Sequence, residues 1–185
     1  MMAAEQCLQE DGYAALSTRG VAERAEMPLS QIHYHFGSKQ GLLLALYEYL
    51  NTRLLERQQV MFEKNLPLSE QWQLACDYLD EDMASGYVRV LQELTAAGWS
   101  NPEIAAAIRQ NQQGWIDLLT GVARRWAADR PSIGPFTPDG LANLVASLFL
   151  GIEARLLLQD KNQDIVLQSL RDVGHFLKTV EDHNE

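Results

Sequence analysis

The chain has 185 residues, 46% of them hydrophobic and 22% charged, with 15 lysines and arginines against 25 acids. Its apolar content is too high for a disordered chain, and two cysteines, Cys7 and Cys76, are too few for a disulfide framework. The net charge of −10 argues against general nucleic-acid affinity, which rests on a basic surface.

Length suggests one domain, or a small one leading a larger one. The opening residues Met1 to Glu5 have no basic start and no apolar stretch, so no secretory signal is expected. The longest apolar stretch, Leu141 to Ile152, carries Asn143 and Ser147 and stops at Glu153. No run reaches about 18 residues, so no membrane partner is expected and the chain reads as cytoplasmic and globular.

Helix signals dominate in chain order, and the fold class is all-α. Ala3 to Glu10 form a short first helix closed by Asp11-Gly12. Ser17 caps a second, from Thr18 to about Ala25, and a third runs from about Pro28 to His35. Two short helices joined by a tight turn are the helix-turn-helix unit, with small Ala22 at the crossing and Ile32 facing inward. A long helix follows from Ser38 to about Asn65, then helices from Ser69 to Ser85-Gly86 and from Tyr87 to Trp99. Asn101-Pro102-Glu103 and Thr137-Pro138-Asp139 repeat one start signal: a side-chain cap, a first-turn proline and an acid against the macrodipole. These launch helices to about Asp129 and Gln159, separated by a loop at Arg130 to Pro135, and a turn at Asp160 to Gln163 leads to a last helix ending near Glu181.

Stepping about 100° per residue from Ile32 puts Pro28, Leu29, His35 and Phe36 toward the interior or its margin. Ser30, Gln31, His33 and Tyr34 then point outward, where a hydroxyl, amide, imidazole and phenol can read base edges and phosphates with little charge. Arg19 sits beside Thr18 near the start of the second helix, and Lys39 near the start of the fourth, both positioned for phosphates.

The segments Gly12-Tyr13-Ala14-Ala15-Leu16-Ser17-Thr18-Arg19 and Tyr34-His35-Phe36-Gly37-Ser38-Lys39 resemble the TetR family of one-component regulators. The resemblance covers about the first quarter of the chain. It implies a three-helix DNA-binding domain over residues 1–44, followed at 45–185 by a larger helical ligand-binding and dimerisation domain. It further implies a homodimer on a palindromic double-stranded operator, usually as a repressor, released by a small-molecule effector. Matched position by position, it places DNA contacts at Thr18, Arg19, Leu29, Ser30, Gln31, His33, Tyr34 and Lys39, Leu29 on the resemblance alone.

Three features depart from the family. Glu26 stands where glycine is common, and a Cβ in a left-handed turn costs roughly 1–2 kcal/mol. His33 replaces the usual aromatic, which makes its phosphate contact pH-sensitive. Residues 1–50 hold three bases, Arg19, Arg24 and Lys39, against six acids, and the chain begins almost inside its first helix. A basic arm preceding Met1 is therefore expected.

In the larger region, the helix from Thr137 carries one apolar stripe through Leu141, Leu144, Val145, Leu148, Phe149, Ile152 and Leu156 and a second through Leu150, Leu157 and Leu158. A helix apolar on two sides must be covered on two sides. Paired with the last helix across a two-fold axis it makes a four-helix interface, with Leu144, Leu148, Gly151, Arg155, Leu170, Val173 and Leu177 as its expected members. Aromatic residues between Ser38 and Asp129 suggest a small-molecule pocket, whose expected lining is Trp72, Cys76, Tyr87, Leu91, Gln112, Trp115 and Leu119.

Other chemistry is poorly represented. His33 and His35 lie two apart on a helix and do not converge, so no metal or cofactor is expected. Asp77, Asp80, Glu81 and Asp82 read as a solvated acidic face. No nucleophile-base pattern or phosphate loop is present, so the chain is not expected to be an enzyme. Cys7 and Cys76 read as buried hydrophobes, with a thiol sensor as the alternative. The competing function is a helical small-molecule-binding protein or enzyme that has lost DNA affinity, which salt-resistant operator binding would separate from the regulator.

Overall fold

Each predicted cap starts a helix in the computed structural model, which describes residues 1–64, 66–128, 134–158 and 163–183. The described residues hold helices α1 (Met2–Ala15), α2 (Thr18–Arg24), α3 (Leu29–Phe36), α4 (Lys39–Phe62), α5 (Leu68–Ala84), α6 (Tyr87–Gly98), α7 (Pro102–Ala128), α8 (Pro138–Leu157) and α9 (Gln163–Asp182), and no strand. The all-α expectation holds. The loop expected from Arg130 falls partly, and the turn expected from Asp160 mostly, outside the described residues.

The starts are chemical. The Ser17 hydroxyl accepts from the Gly20 N–H at 3.1 Å, Thr137 Oγ1 from the Gly140 N–H at 3.0 Å, and Asn101 Oδ1 from the Glu103 N–H at 3.0 Å. Each satisfies an amide that the helix itself leaves unpaired. α1 is interrupted at Gly12, whose φ of 77° and ψ of 171° are costly for a residue with a Cβ. The chain is thereby redirected where the sequence closes its first helix.

The chain forms two compact units, residues 1–54 with 81–111, and 55–80 with 112–185. In the first, the buried side of α4 carries Leu42, Leu43, Leu46, Tyr47 and Leu50. Tyr47 stacks on Tyr87 of α6 with ring centroids 5.8 Å apart. The Tyr87 hydroxyl donates to Asn51 Oδ1 at 3.0 Å, and Asn51 Nδ2 donates to Asn111 Oδ1 at 3.3 Å. This satisfied polar chain pins α4, α6 and the start of α7 in one register.

In the second unit, Met61, Phe62 and Val122 are buried together, with Leu118 and Leu119 packed beside them. The Glu181 carboxylate of α9 caps α5, accepting from the Leu68 N–H at 2.7 Å and the Ser69 hydroxyl at 2.6 Å. Gly174 allows α9 to lie close to α5: a Cβ there would sit 2.4 Å from Gln73 Nε2.

Although no uninterrupted apolar run reaches 18 residues, α8 is by length and composition long and apolar enough to cross a membrane. Neutral small residues such as Gly151, Ala146 and Ser147 do not offset its leucines. One side, with Ala142, Ala146, Phe149, Ile152 and Leu156, is buried within the protein, whereas Leu144 and Leu148 remain exposed. The first predicted stripe therefore splits between two faces.

The turn between α2 and α3 contains Glu26 at φ 52°, the one described non-glycine residue in the left-handed region. Glu26→Gly removes this strain and is expected to raise stability by about 1 kcal/mol. Thermal melting of the full chain checks it, and an unchanged or lower midpoint would contradict the strain.

Candidate nucleic-acid interface and apolar chamber

α2 and α3 are held together by Val21, Ala22 and Ile32, each under 5% exposed. Ile32 is the one buried residue of α3, and burying such a side chain contributes about 1.5–3 kcal/mol. One inward anchor on a helix of eight residues leaves the rest open. Ser30, Gln31, His33 and Tyr34 are all exposed, Tyr34 at 86%.

Pro28, Leu29 and His35, expected at the interior or its margin, are exposed as well; Phe36 alone of that group is half-buried. A helix this short meets its neighbours along one narrow line, so the margin of its apolar side stays uncovered. Leu29, carried by the family resemblance, thus lies in the open at 40% exposure.

The imidazole of His33 is tethered, its Nδ1 lying 3.3 Å from the Gly37 carbonyl at the end of α3. Because a carbonyl only accepts, Nδ1 carries the proton and Nε2 is turned away from this contact.

The three bases of residues 1–50 have different settings. Arg24 is committed to the α1 acids Glu10 and Asp11. Arg19 is 82% exposed in its side chain and bonds Glu23 at 3.0 Å, a surface pair worth little. Lys39 is exposed and its ammonium lies 5.7 Å from the Tyr13 ring centroid, a cation–π contact that orients the side chain. Thr18 is half-buried at the head of α2. Arg19 and Lys39 are thus exposed, whereas Arg24 is half-buried in its ion pairs.

The second unit contains an apolar chamber of about 570 Å³ between α4, α5, α7, α8 and α9, a size suited to small molecules. Phe149 stands edge-on to both Trp72 and Trp115, with centroids 5.7 and 6.0 Å apart. Of the seven residues expected to line a pocket, the structure brings Trp72, Trp115 and Leu119 to this chamber.

The others lie elsewhere. Tyr87 and Leu91 are buried in the first unit, where Tyr87 is part of the stacked pair and polar chain described above. Cys76 is buried on α5 and Gln112 half-buried on α7, neither on the chamber wall. Helical spacing shows that an aromatic residue faces protein but not which neighbour it faces. Gln58, Phe62, Gln71, Phe136 and Phe149 line the chamber and were missed, the last because it read as part of an interface stripe.

Among the residues expected at a subunit interface, Leu144, Leu148, Gly151 and Arg155 are exposed and recur along α8 at steps of four, three and four. Leu170 is corrected: it is 2% exposed, with its carbonyl accepting from Trp72 Nε1 at 2.8 Å, so it belongs to the interior of its own chain. Val173 and Leu177 are half-buried and face the chamber. The outward positions of α9 are instead Ile165 and Phe176, 65% and 66% exposed. Leu144, Leu148 and Phe176 line the chamber while remaining partly exposed, so it opens on the outer face of α8 and α9.

Asp77 and Asp80 are not simply solvated: they hold Arg171 of α9 at 2.8 and 3.0 Å. Burial pushes the nearby Cys76 thiol up to about 11, against a weaker opposing pull from Arg171, and burial raises Cys7 too. Both thiols are buried, as the reading of Cys7 and Cys76 as buried hydrophobes expects.

Residues 1–46 match the family model described as bacterial regulatory proteins, tetR family. No curated protein matches the chain by sequence. Among solved structures, a TetR transcription regulator from Haloarcula marismortui is 20% identical with a TM-score of 0.74, covering 95% of this chain and 92% of its own. A TetR transcriptional regulator from Legionella pneumophila is 21% identical with a TM-score of 0.71, covering 97% of this chain and 93% of its own. FadR from Bacillus subtilis, solved in complex with stearoyl-CoA, is 15% identical with a TM-score of 0.73, covering 95% and 94%. At these identities the likeness establishes the fold. The amino-terminal 46 residues thus match the tetR-family model, and the chain as a whole shares the fold of these solved proteins.

Proposed function

We propose that this chain is a DNA-binding transcriptional regulator, a repressor that binds a palindromic operator as a homodimer and leaves it when a small molecule occupies the apolar chamber. In this reading residues 1–44 bind DNA, residues 45–185 carry ligand binding and dimerisation, and the protein works in the cytoplasm without enzymatic activity. The observation that carries it is α3: anchored by Ile32 alone, it presents Ser30, Gln31, His33 and Tyr34 outward beside the helix-turn-helix turn. Such a surface reads bases through neutral donors and acceptors. That answers the objection raised by the chain's net charge of −10, because specificity here does not require a basic field.

The open apolar stripe of α8 supports the dimer, since a symmetric partner covers the same stripe twice and sets two recognition helices on successive major-groove faces. The complex of FadR with stearoyl-CoA supports ligand control in this fold. α4 contributes to both units, so a ligand that favours one position of this helix shifts the spacing of the recognition helices. It does so only to the extent that it binds the two states unequally.

Selection from randomised duplex DNA at low and physiological salt tests the reading. The expected product is a palindrome that survives the higher salt. With Arg19 and Lys39 as the phosphate-facing cations of each protomer, the slope of log affinity against log salt should be about −4. Loss of all selectivity at physiological salt would overturn the regulator and favour a ligand-binding protein that has lost DNA affinity.

A further inference from the structure

The chamber also indicates what kind of molecule it takes, an inference that rests on the effector reading above. We propose that its ligand is an uncharged, predominantly apolar molecule with ring or branched hydrocarbon bulk, and that the chamber rejects molecules with a fixed charge.

Among the described residues, the chamber wall carries no ionisable side chain. Apart from Gln58 and Gln71 its surface is built from tryptophan, phenylalanine, leucine, valine and alanine, including the edge-on set of Trp72, Phe149 and Trp115. Aromatic edges and faces in this arrangement favour a flat or bulky hydrocarbon over a thin extended chain.

The polar atoms of the wall are neutral and mostly engaged. Trp72 Nε1 donates to the Leu170 carbonyl at 2.8 Å, and Gln71 Nε2 to the Leu66 carbonyl at 3.0 Å. Trp115 Nε1 donates to Gln58 Oε1 at 2.8 Å. An indole nitrogen can only donate, so this bond fixes the amide orientation and leaves the NH2 end of Gln58 as a neutral donor. A ligand carbonyl, ether or similar acceptor suits it.

Charged groups stay outside. Arg125, Lys64, Glu63 and Glu181 line an adjoining cavity, where both signs occur together. Arg125 Nη2 donates to the Phe62 carbonyl at 3.2 Å, and Glu181 caps α5. A carboxylate or sulfonate entering the chamber would lose its water without meeting a counter-charge, the costliest kind of burial.

The test compares two fluorescent probes with one ring skeleton, N-phenyl-1-naphthylamine and 8-anilino-1-naphthalenesulfonate, titrated into the full chain. The neutral probe is expected to bind at least about ten-fold more tightly, because only the sulfonate carries an unpaired charge into the site. Leu119→Arg, which places a cation on the chamber wall, is expected to reverse that order. If this variant does not fold, the two affinities of the parent protein still decide. Equal or tighter binding of the sulfonate by the parent overturns the uncharged class while leaving a ligand chamber in place. Failure of both probes to bind overturns the effector reading together with the inference.

Discussion

Replacing Arg19 and Tyr34 together with alanine is expected to weaken binding to the selected operator by about 2–6 kcal/mol, at least a factor of about thirty. Both side chains are more than 80% exposed, so neither supports the helix-turn-helix from within. The melting temperature should stay near that of the parent, which separates a binding defect from a folding defect. The two residues should fail differently. Arg19→Ala alone leaves a phosphate without its cation and should reduce the salt slope by about one for each phosphate so exposed, weakening all sequences alike. Tyr34→Ala should leave the salt slope almost unchanged. Anisotropy titrations with the selected duplex and a scrambled one measure both effects, and a double variant with parental affinity would move the recognition surface elsewhere.

Gly151→Arg is expected to convert the proposed dimer to monomers. The residue lies between Leu148 and Arg155 on the open stripe of α8, and a Cβ built there meets nothing within 4 Å. The isolated subunit therefore accommodates the arginine without strain. Across a two-fold axis the substitution appears twice, facing apolar surface and sitting four residues from the existing Arg155, where like charges repel. Sedimentation velocity should show the loss of the dimer, with helicity and melting of the monomer retained. Operator affinity should fall with it, because each half-site alone has only one recognition helix. A variant that still sediments as a dimer would place the interface on another face. Gly174 is the instructive contrast: there a Cβ would strike Gln73 within the same subunit, so a substitution would report on internal packing instead.

Much of the fold was written locally. Ser17, Asn101-Pro102 and Thr137-Pro138 cap helices where the sequence places them, because a cap joins residues two or three apart. The outward face of α3 was legible for a related reason: on a short helix, one buried position determines by rotation which residues point away. Yet the margin of that face was not. Pro28, Leu29 and His35 read as partly covered because the wheel assumes a neighbour on every apolar side, and α3 has one only along Ile32.

The amino-acid sequence by itself determined an all-helical chain, nearly every helix start, the helix-turn-helix and the outward set Ser30, Gln31, His33 and Tyr34. These follow from propensities, caps and periodicity, whose range is a turn or two of chain. Only the tertiary structure decided which aromatic residues share a chamber. It separated Tyr87 and Leu91 from Trp72 and Trp115, brought Gln58 and Phe62 of α4 to face Phe149 of α8, and turned Leu170 inward. It also paired Arg24 with Glu10 and Asp11 of α1, partners that lie too far along the chain for helical periodicity to name. Hydrophobic burial is non-directional: it draws an apolar side chain out of water without specifying its neighbour, and that choice belongs to the packing of helices far apart in the chain.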